Sequence, residues 1–370
     1  MSTESLPTSE QNSVVTCQAS DDFASWMSEL PGSIAVTTYQ AGKVAMIGWR
    51  GNQPTLLMRN FDKPMGLAVR PGMMALATRN EITYFANAPV LAPELNPDDL
   101  GKYDSLYLPR TSYHTGDLNI HDVAFAGTDL WVVASRFCCL AGLSHEYSFE
   151  PRWKPPFISE IVPEDRCHLN GLAVVDGRPK FVTALGETDV VGGWRENKAS
   201  GGVLIDVETN EILLRGLAMP HSPRWHNGYL WLLNSGAGEL LCYDPAKQEA
   251  IVVAVLPAYL RGLCLIGRYA VIGMCQIREK HIFGGLPIQN RFENLLCGIA
   301  VVDLQKGKCI GTFEFTAGCT EIYDVQFLPG TRTPNLLNLQ DPATREAFPA
   351  PEFSYWLRPS NVISENVITQ

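Results

Sequence analysis

The chain has 370 residues, a net charge of −10 and a pI near 5.2. An acidic surface without a Lys/Arg stripe argues against nucleic acid as a main partner. No stretch approaches the ~18 uninterrupted apolar residues of a membrane span, and residues 1–7 lack both the basic and the apolar region of a signal peptide; we therefore expect a cytoplasmic protein with no membrane partner.

In chain order, residues 1–20 are rich in Ser, Thr, Glu and Gln and read as loose. Residues 21–30 fit one short helix, which Pro31-Gly32 ends. Strand patterns start at Ser33 and continue to about residue 330. We expect three regions: a flexible segment over 1–32 with its short helix, a β-domain over 33–330, and an irregular extension over 331–370 that wraps the outside.

Within the β-domain a strand–turn–strand unit recurs. Its openings stand at Lys63-Pro-Met-Gly-Leu, Asn119-Ile-His-Asp-Val, His168-Leu-Asn-Gly-Leu, Met219-Pro-His-Ser-Pro, Tyr259-Leu-Arg-Gly-Leu and Glu321-Ile-Tyr-Asp-Val. Turn signals such as Asp176-Gly and Asn227-Gly follow the first run of several units. Steps of about 40–50 residues point to propeller blades. Six openings predict an all-β protein built as one six-bladed β-propeller, with five or seven blades as the alternatives because outer strands leave little trace in one sequence. The strands over about 33–58 precede the first opening and would close the last blade.

Aligned on the Gly-Leu or Asp-Val pair, the residue just before it is Met65, His121, Asn170, His221, Arg261 or Tyr323. Two positions earlier stand Lys63, Asn119, His168, Met219, Tyr259 and Glu321. Positions two apart on a strand share a face, so both sets would line one mouth of the channel as stacked rings. A ring with only a structural role would more plausibly hold small residues. The second strand of each blade returns to the same mouth and brings Arg136, Glu187, Asn234 and Arg278. Two long connections, 190–202 with Trp194 and 279–297, follow these ends and have the length of binding loops.

Three imidazoles from three directions, with a carboxylate nearby, suit a divalent metal such as zinc, iron or manganese. His121, His168 and His221 would be its ligands. Glu321 or Glu187 would act as general base, and Arg261 and Tyr323 would assist catalysis. Arg136, Asn170, Asn234, Arg278 and Trp194 would bind substrate. A metal-free version uses His121 or His221 as acid and base, with Arg261 stabilising an oxyanion. No P-loop or dinucleotide fingerprint is visible, so no nucleotide cofactor is expected. The ten cysteines form no C-x-x-C pair, and several lie inside apolar runs, as expected of buried thiols in a reducing compartment.

The segments Phe149-Glu-Pro-Arg-Trp-Lys, Glu164-Asp-Arg-Cys-His-Leu-Asn-Gly, Thr183-Ala-Leu-Gly-Glu-Thr-Asp and Met219-Pro-His-Ser-Pro-Arg-Trp-His resemble a bacterial and cyanobacterial family of conserved hypothetical proteins, a domain of unknown function. Arg261-Gly-Leu, Gly285-Leu-Pro and Glu321-Ile-Tyr-Asp-Val extend the resemblance, which covers roughly residues 33–330. It implies a fold and no settled activity. At fold level the chain is similar to six-bladed propeller enzymes of the gluconolactonase/regucalcin group and to the peptide amidating lyase. The first group implies an ion on Glu, Asn and Asp, for which this chain offers Glu321, Asn170 and Asp324. The second implies zinc on three His with an Arg and a Tyr, for which it offers His121, His168, His221, Arg261 and Tyr323.

Two readings follow. The first is an enzyme at the channel mouth acting on a small carboxylated or peptide-like molecule by lyase, isomerase, hydrolase or oxygenase chemistry. The second is a propeller that serves as a scaffold or binding module, with a closed, dry channel.

Overall fold

The computed structural model describes residues 14–277 and 284–358. Six sheets stand in a closed ring, each mainly a four-stranded antiparallel meander, which is the six-bladed propeller read from the repeat. The first blade holds Gly32–Thr38, Lys43–Arg50 and Gln53–Asn60, and its innermost strand is Val325–Pro329 from the far end of the chain. Ile34 pairs Phe327 and Val36 pairs Val325, so the ring is closed by backbone hydrogen bonds between distant segments. The inner strands of the second to sixth blades are Leu67–Arg70, Ile120–Ala126, Leu169–Val175, Pro220–His226 and Tyr259–Ile266. Each begins at one of the predicted openings.

The turns form for local reasons. Asp176 and Gly177 have φ of 48° and 74°, and Asn227 and Gly228 have φ of 52° and 83°. Two consecutive left-handed residues make the tight hairpin turn whose twist matches the flanking strands. The core lies between blades, where the faces of adjacent sheets interdigitate. Ile34, Met46, Leu67 and Met74 are completely buried there, each worth roughly 1.5–3 kcal/mol of transfer free energy.

Next to the channel axis, the residue following each ring position alternates in kind: Gly66, Asp122, Gly171, Ser222, Gly262, Asp324. Asp122 accepts from the Leu172 N–H at 3.0 Å, Ser222 Oγ from the Gly262 N–H at 3.0 Å, and Asp324 from the Leu67 N–H at 2.9 Å. Three blades thus each reach across to the backbone of the next. The three glycines sit where that neighbouring backbone comes close; a Cβ on Gly262 would lie 2.8 Å from Asp324 C. Arg224 spans the axis and binds Asp122 at 2.8 Å and Asp324 at 3.3 Å.

The flanking regions are more ordered than expected. Thr16–Ala19 pairs with Lys308–Ala317 as a fifth strand of the sixth blade, so 1–32 is not uniformly loose. The helix Asp21–Glu29 is capped by Ser20 and buries Phe23, Trp26 and Met27. Beyond the propeller, Pro334–Leu336 runs parallel to Ser105–Tyr107 on the outer edge of the second blade, followed by a short hairpin of Ala347–Pro349 and Ser354–Trp356. No helix among the described residues is long and apolar enough to cross a membrane. All ten cysteines are free thiols.

Candidate active site at the channel mouth

A cavity of about 320 Å³ opens at the mouth where the inner strands begin. Nine of the twelve predicted ring positions line it: Asn119, His121, His168, Met219, His221, Tyr259, Arg261, Glu321 and Tyr323. The arrangement has a backbone cause. Asn119, His168 and Met219 have φ between 49° and 53°, left-handed values that are uncommon outside glycine. The kink turns the carbonyl two residues before the ring histidine back onto its imidazole. His121 Nδ1–H donates to the Asn119 carbonyl at 2.9 Å, and His221 Nδ1–H donates to the Met219 carbonyl at 2.9 Å. A carbonyl only accepts, so both rings carry their proton on Nδ1 and leave Nε2 with the lone pair.

His121 Nε2 lies 2.9 Å from His168 Nε2. His168 donates there, and its Nδ1–H donates to Asp165 Oδ1 at 2.8 Å. Asp165 also accepts from Trp194 Nε1–H at 3.0 Å, and Arg195 stands 3.4 Å away. Burial alone would raise the Asp165 carboxyl, but the charge and hydrogen bond of His168, with Trp194 and Arg195, hold it below the usual carboxylate range. Burial, then the positive charges of His168 and Arg261, push the His121 imidazole well below its ordinary value. Burial and Arg261 do the same at His221, whose Nδ1 also meets Ser235 Oγ at 3.1 Å. The site therefore holds neutral imidazoles at 121 and 221 beside the hydrogen-bonded His168–Asp165 pair.

The Arg261 guanidinium lies 4.2 Å over the Tyr323 ring, a cation–π contact. The Arg261 Nε and the Tyr323 hydroxyl are both buried without a hydrogen-bond partner.

The chain matches a family described as a domain of unknown function, DUF4915, over residues 21–337. It belongs to that family. No curated protein matches the chain. Among solved structures, the nidogen/laminin complex aligns at a TM-score of 0.51 and 12% identity, over 80% of this chain and 98% of that one; the likeness shows the propeller fold. A protein of unknown function from Bacteroides caccae aligns at a TM-score of 0.49 and 9% identity, over 80% and 99% of the two chains. A catalytically inactive virginiamycin B lyase from Staphylococcus aureus, solved with quinupristin, aligns at 0.40 and 14% identity, over 66% and 74%.

Several expected site residues of this DUF4915 chain lie elsewhere. Glu187 is outside the mouth cavity and pairs with Arg215 at 2.8 Å over a neighbouring depression. Arg136 pairs with Asp117 at 2.8 Å. Asn170 is 2% exposed and spends its amide on the Pro220 carbonyl at 2.8 Å and the Thr183 hydroxyl at 2.6 Å, bracing two blades. Asn234 holds Ala218 N–H at 2.7 Å and Glu239 at 2.8 Å. These four were placed by strand phase alone, and each polar group finds a structural partner before it reaches the cavity. Trp194 does line the cavity, with its ring 4.6 Å from that of His168. Arg278 lies outside the described residues. Asp165, Tyr39 and Arg195 line the cavity and were not anticipated. For Asp165 a signal existed: a carboxylate three residues before a ring histidine.

The three histidines converge on one cavity. Among the described residues no group of three His, Cys, Asp or Glu side chains has a metal-holding arrangement. The His121 and His168 Nε2 atoms face each other at 2.9 Å. No step below uses a metal.

Proposed function

We propose that this protein is an enzyme that moves a proton on a small carboxylated or peptide-like molecule at the channel mouth, using imidazole acid–base chemistry. Lyase, isomerase and hydrolase reactions share that requirement. The observation that carries this reading is the chain Asp165–His168–His121, linked at 2.8 and 2.9 Å. A carboxylate that orients one imidazole, which in turn shares a proton with a second, can deliver and recover a proton without a large rearrangement. His221 supplies a further neutral imidazole across the cavity. The cavity has the size of a small-molecule site.

The test is conversion of a panel of small carboxylates and short peptides, followed by mass spectrometry. Wild-type protein is expected to convert at least one compound, and His121→Gln and His168→Gln to lose about 10²-fold or more of that rate. Equal conversion by both variants would remove the imidazole chain from the reaction.

A further inference from the structure

Among the described residues four buried polar side-chain atoms lack a partner, and two of them belong to neighbouring residues that line this one cavity: Arg261 Nε and the Tyr323 hydroxyl. Both are donors. Native interiors seldom leave such groups unsatisfied, and an orphaned pair in a cavity marks where a ligand supplies acceptors. From this pair we infer that Arg261 and Tyr323 form the anchor for a singly charged carboxylate, which accepts from Arg261 N–H with one oxygen and from the Tyr323 hydroxyl with the other. The inference rests on the proposed function and narrows its substrate class from carboxylated or peptide-like molecules to free monocarboxylates.

Charge and geometry support the choice. Arg261 makes no ion pair among the described residues; its charge meets the Tyr323 face and the weaker influences of Tyr259, Cys275 and Glu321. One unpaired guanidinium balances one negative charge, and its planar fork matches a carboxylate. A phosphate dianion would bring a second charge that the Arg261 guanidinium alone does not balance. Burial drives the Tyr323 hydroxyl well above its ordinary value, so it remains a donor at neutral pH. The Tyr323 ring lies 5.4 Å from the His121 ring. A carboxylate held at Arg261 and Tyr323 therefore presents its adjoining carbon toward the imidazole chain.

The test is binding of butyrate, its neutral analogue butyramide and inorganic phosphate to the full-length protein, followed by ligand-detected NMR. Butyrate is expected to bind at least about tenfold more tightly than either of the others, the difference an ion-paired carboxylate contributes. Arg261→Gln and Tyr323→Phe each weaken butyrate, while Arg136→Gln, on the ion pair outside the cavity, leaves it unchanged. The three-ligand comparison needs no variant, so a fold defect in Arg261→Gln does not spoil it. Equal binding of butyrate and butyramide, or preference for phosphate, overturns the anchor. Butyrate selectivity without turnover of any carboxylate leaves the anchor standing and removes the catalytic reading.

Discussion

His168 Nε2 and His121 Nε2 lie 2.9 Å apart, and the outer nitrogen of each ring faces a group that only accepts: the Asp165 carboxylate and the Asn119 carbonyl. The hydrogen-bond pattern sets the proton count. Each outer nitrogen must carry a proton, and one more must sit between the rings. The pair then holds one proton beyond two neutral imidazoles, and Asp165 balances the charge. A site built this way stores a proton at the edge of the cavity.

Asp165→Asn removes that balancing charge while keeping the size of the side chain. The amide cannot hold the extra proton as the carboxylate does. We expect the ring N–H resonance of His168 toward residue 165 to disappear from the low-field proton spectrum at neutral pH, with a stability loss of about 1–3 kcal/mol in urea unfolding. An unchanged spectrum would mean that the proton is held otherwise.

The buried imidazoles give a defined pH dependence of stability. His121 and His221 are shifted well below their ordinary value of 6.5 in the folded state. Below that pH the unfolded chain takes up protons that the folded protein does not, so stability falls as pH drops. Each group contributes a slope of up to about 1.4 kcal/mol per pH unit. Asp324 acts in the opposite direction: burial pushes its carboxyl up to about 7, and Asp122 adds to the rise against Arg224. Comparing wild type with a His221→Gln protein by urea unfolding from pH 5 to 8 isolates the imidazole that stands outside the His168–His121 pair. The difference in stability is expected to change below pH 6.5 and to stay level above it.

Arg224 ties the third, fifth and first blades together through Asp122 and Asp324. Arg224→Met would leave two buried carboxylates facing each other without a cation. We expect a loss of about 3–5 kcal/mol, read from the urea midpoint. Adding Asp122→Asn and Asp324→Asn to the same chain should recover part of it.

Gly171 tests the alternation around the axis. A Cβ there would collide with Pro223 Cδ and lie 2.6 Å from Thr183 Oγ1 and 3.1 Å from Ser222 N. Gly171→Ala is expected to cost about 1–3 kcal/mol. A neutral result would mean that the fourth and fifth blades can separate slightly without loss.

The recurring openings made the ring of blades and most of the mouth legible, because blade phase converts positions distant in sequence into neighbours. The same phase argument misplaced Asn170 and Asn234, since phase does not reveal which polar groups a neighbouring blade will consume. It assumed plain strand alternation, whereas Asn119, His168 and Met219 are left-handed kinks that aim carbonyls and rings at one another. Convergence in phase likewise does not say whether imidazoles face a common point or each other. Asp165 and Trp194 come from loops before and after a strand pair, where a single sequence carries no periodic signal.

The most direct test of the acid–base centre is exchange of the hydrogens next to the carboxylate of bound butyrate and related monocarboxylates, followed by proton NMR in D₂O. The wild-type protein is expected to accelerate exchange on at least one bound carboxylate, and His121→Gln and His168→Gln to abolish about 10²-fold or more of that acceleration. Carboxylates that bind at Arg261 and Tyr323 yet exchange no faster than in buffer would contradict the account.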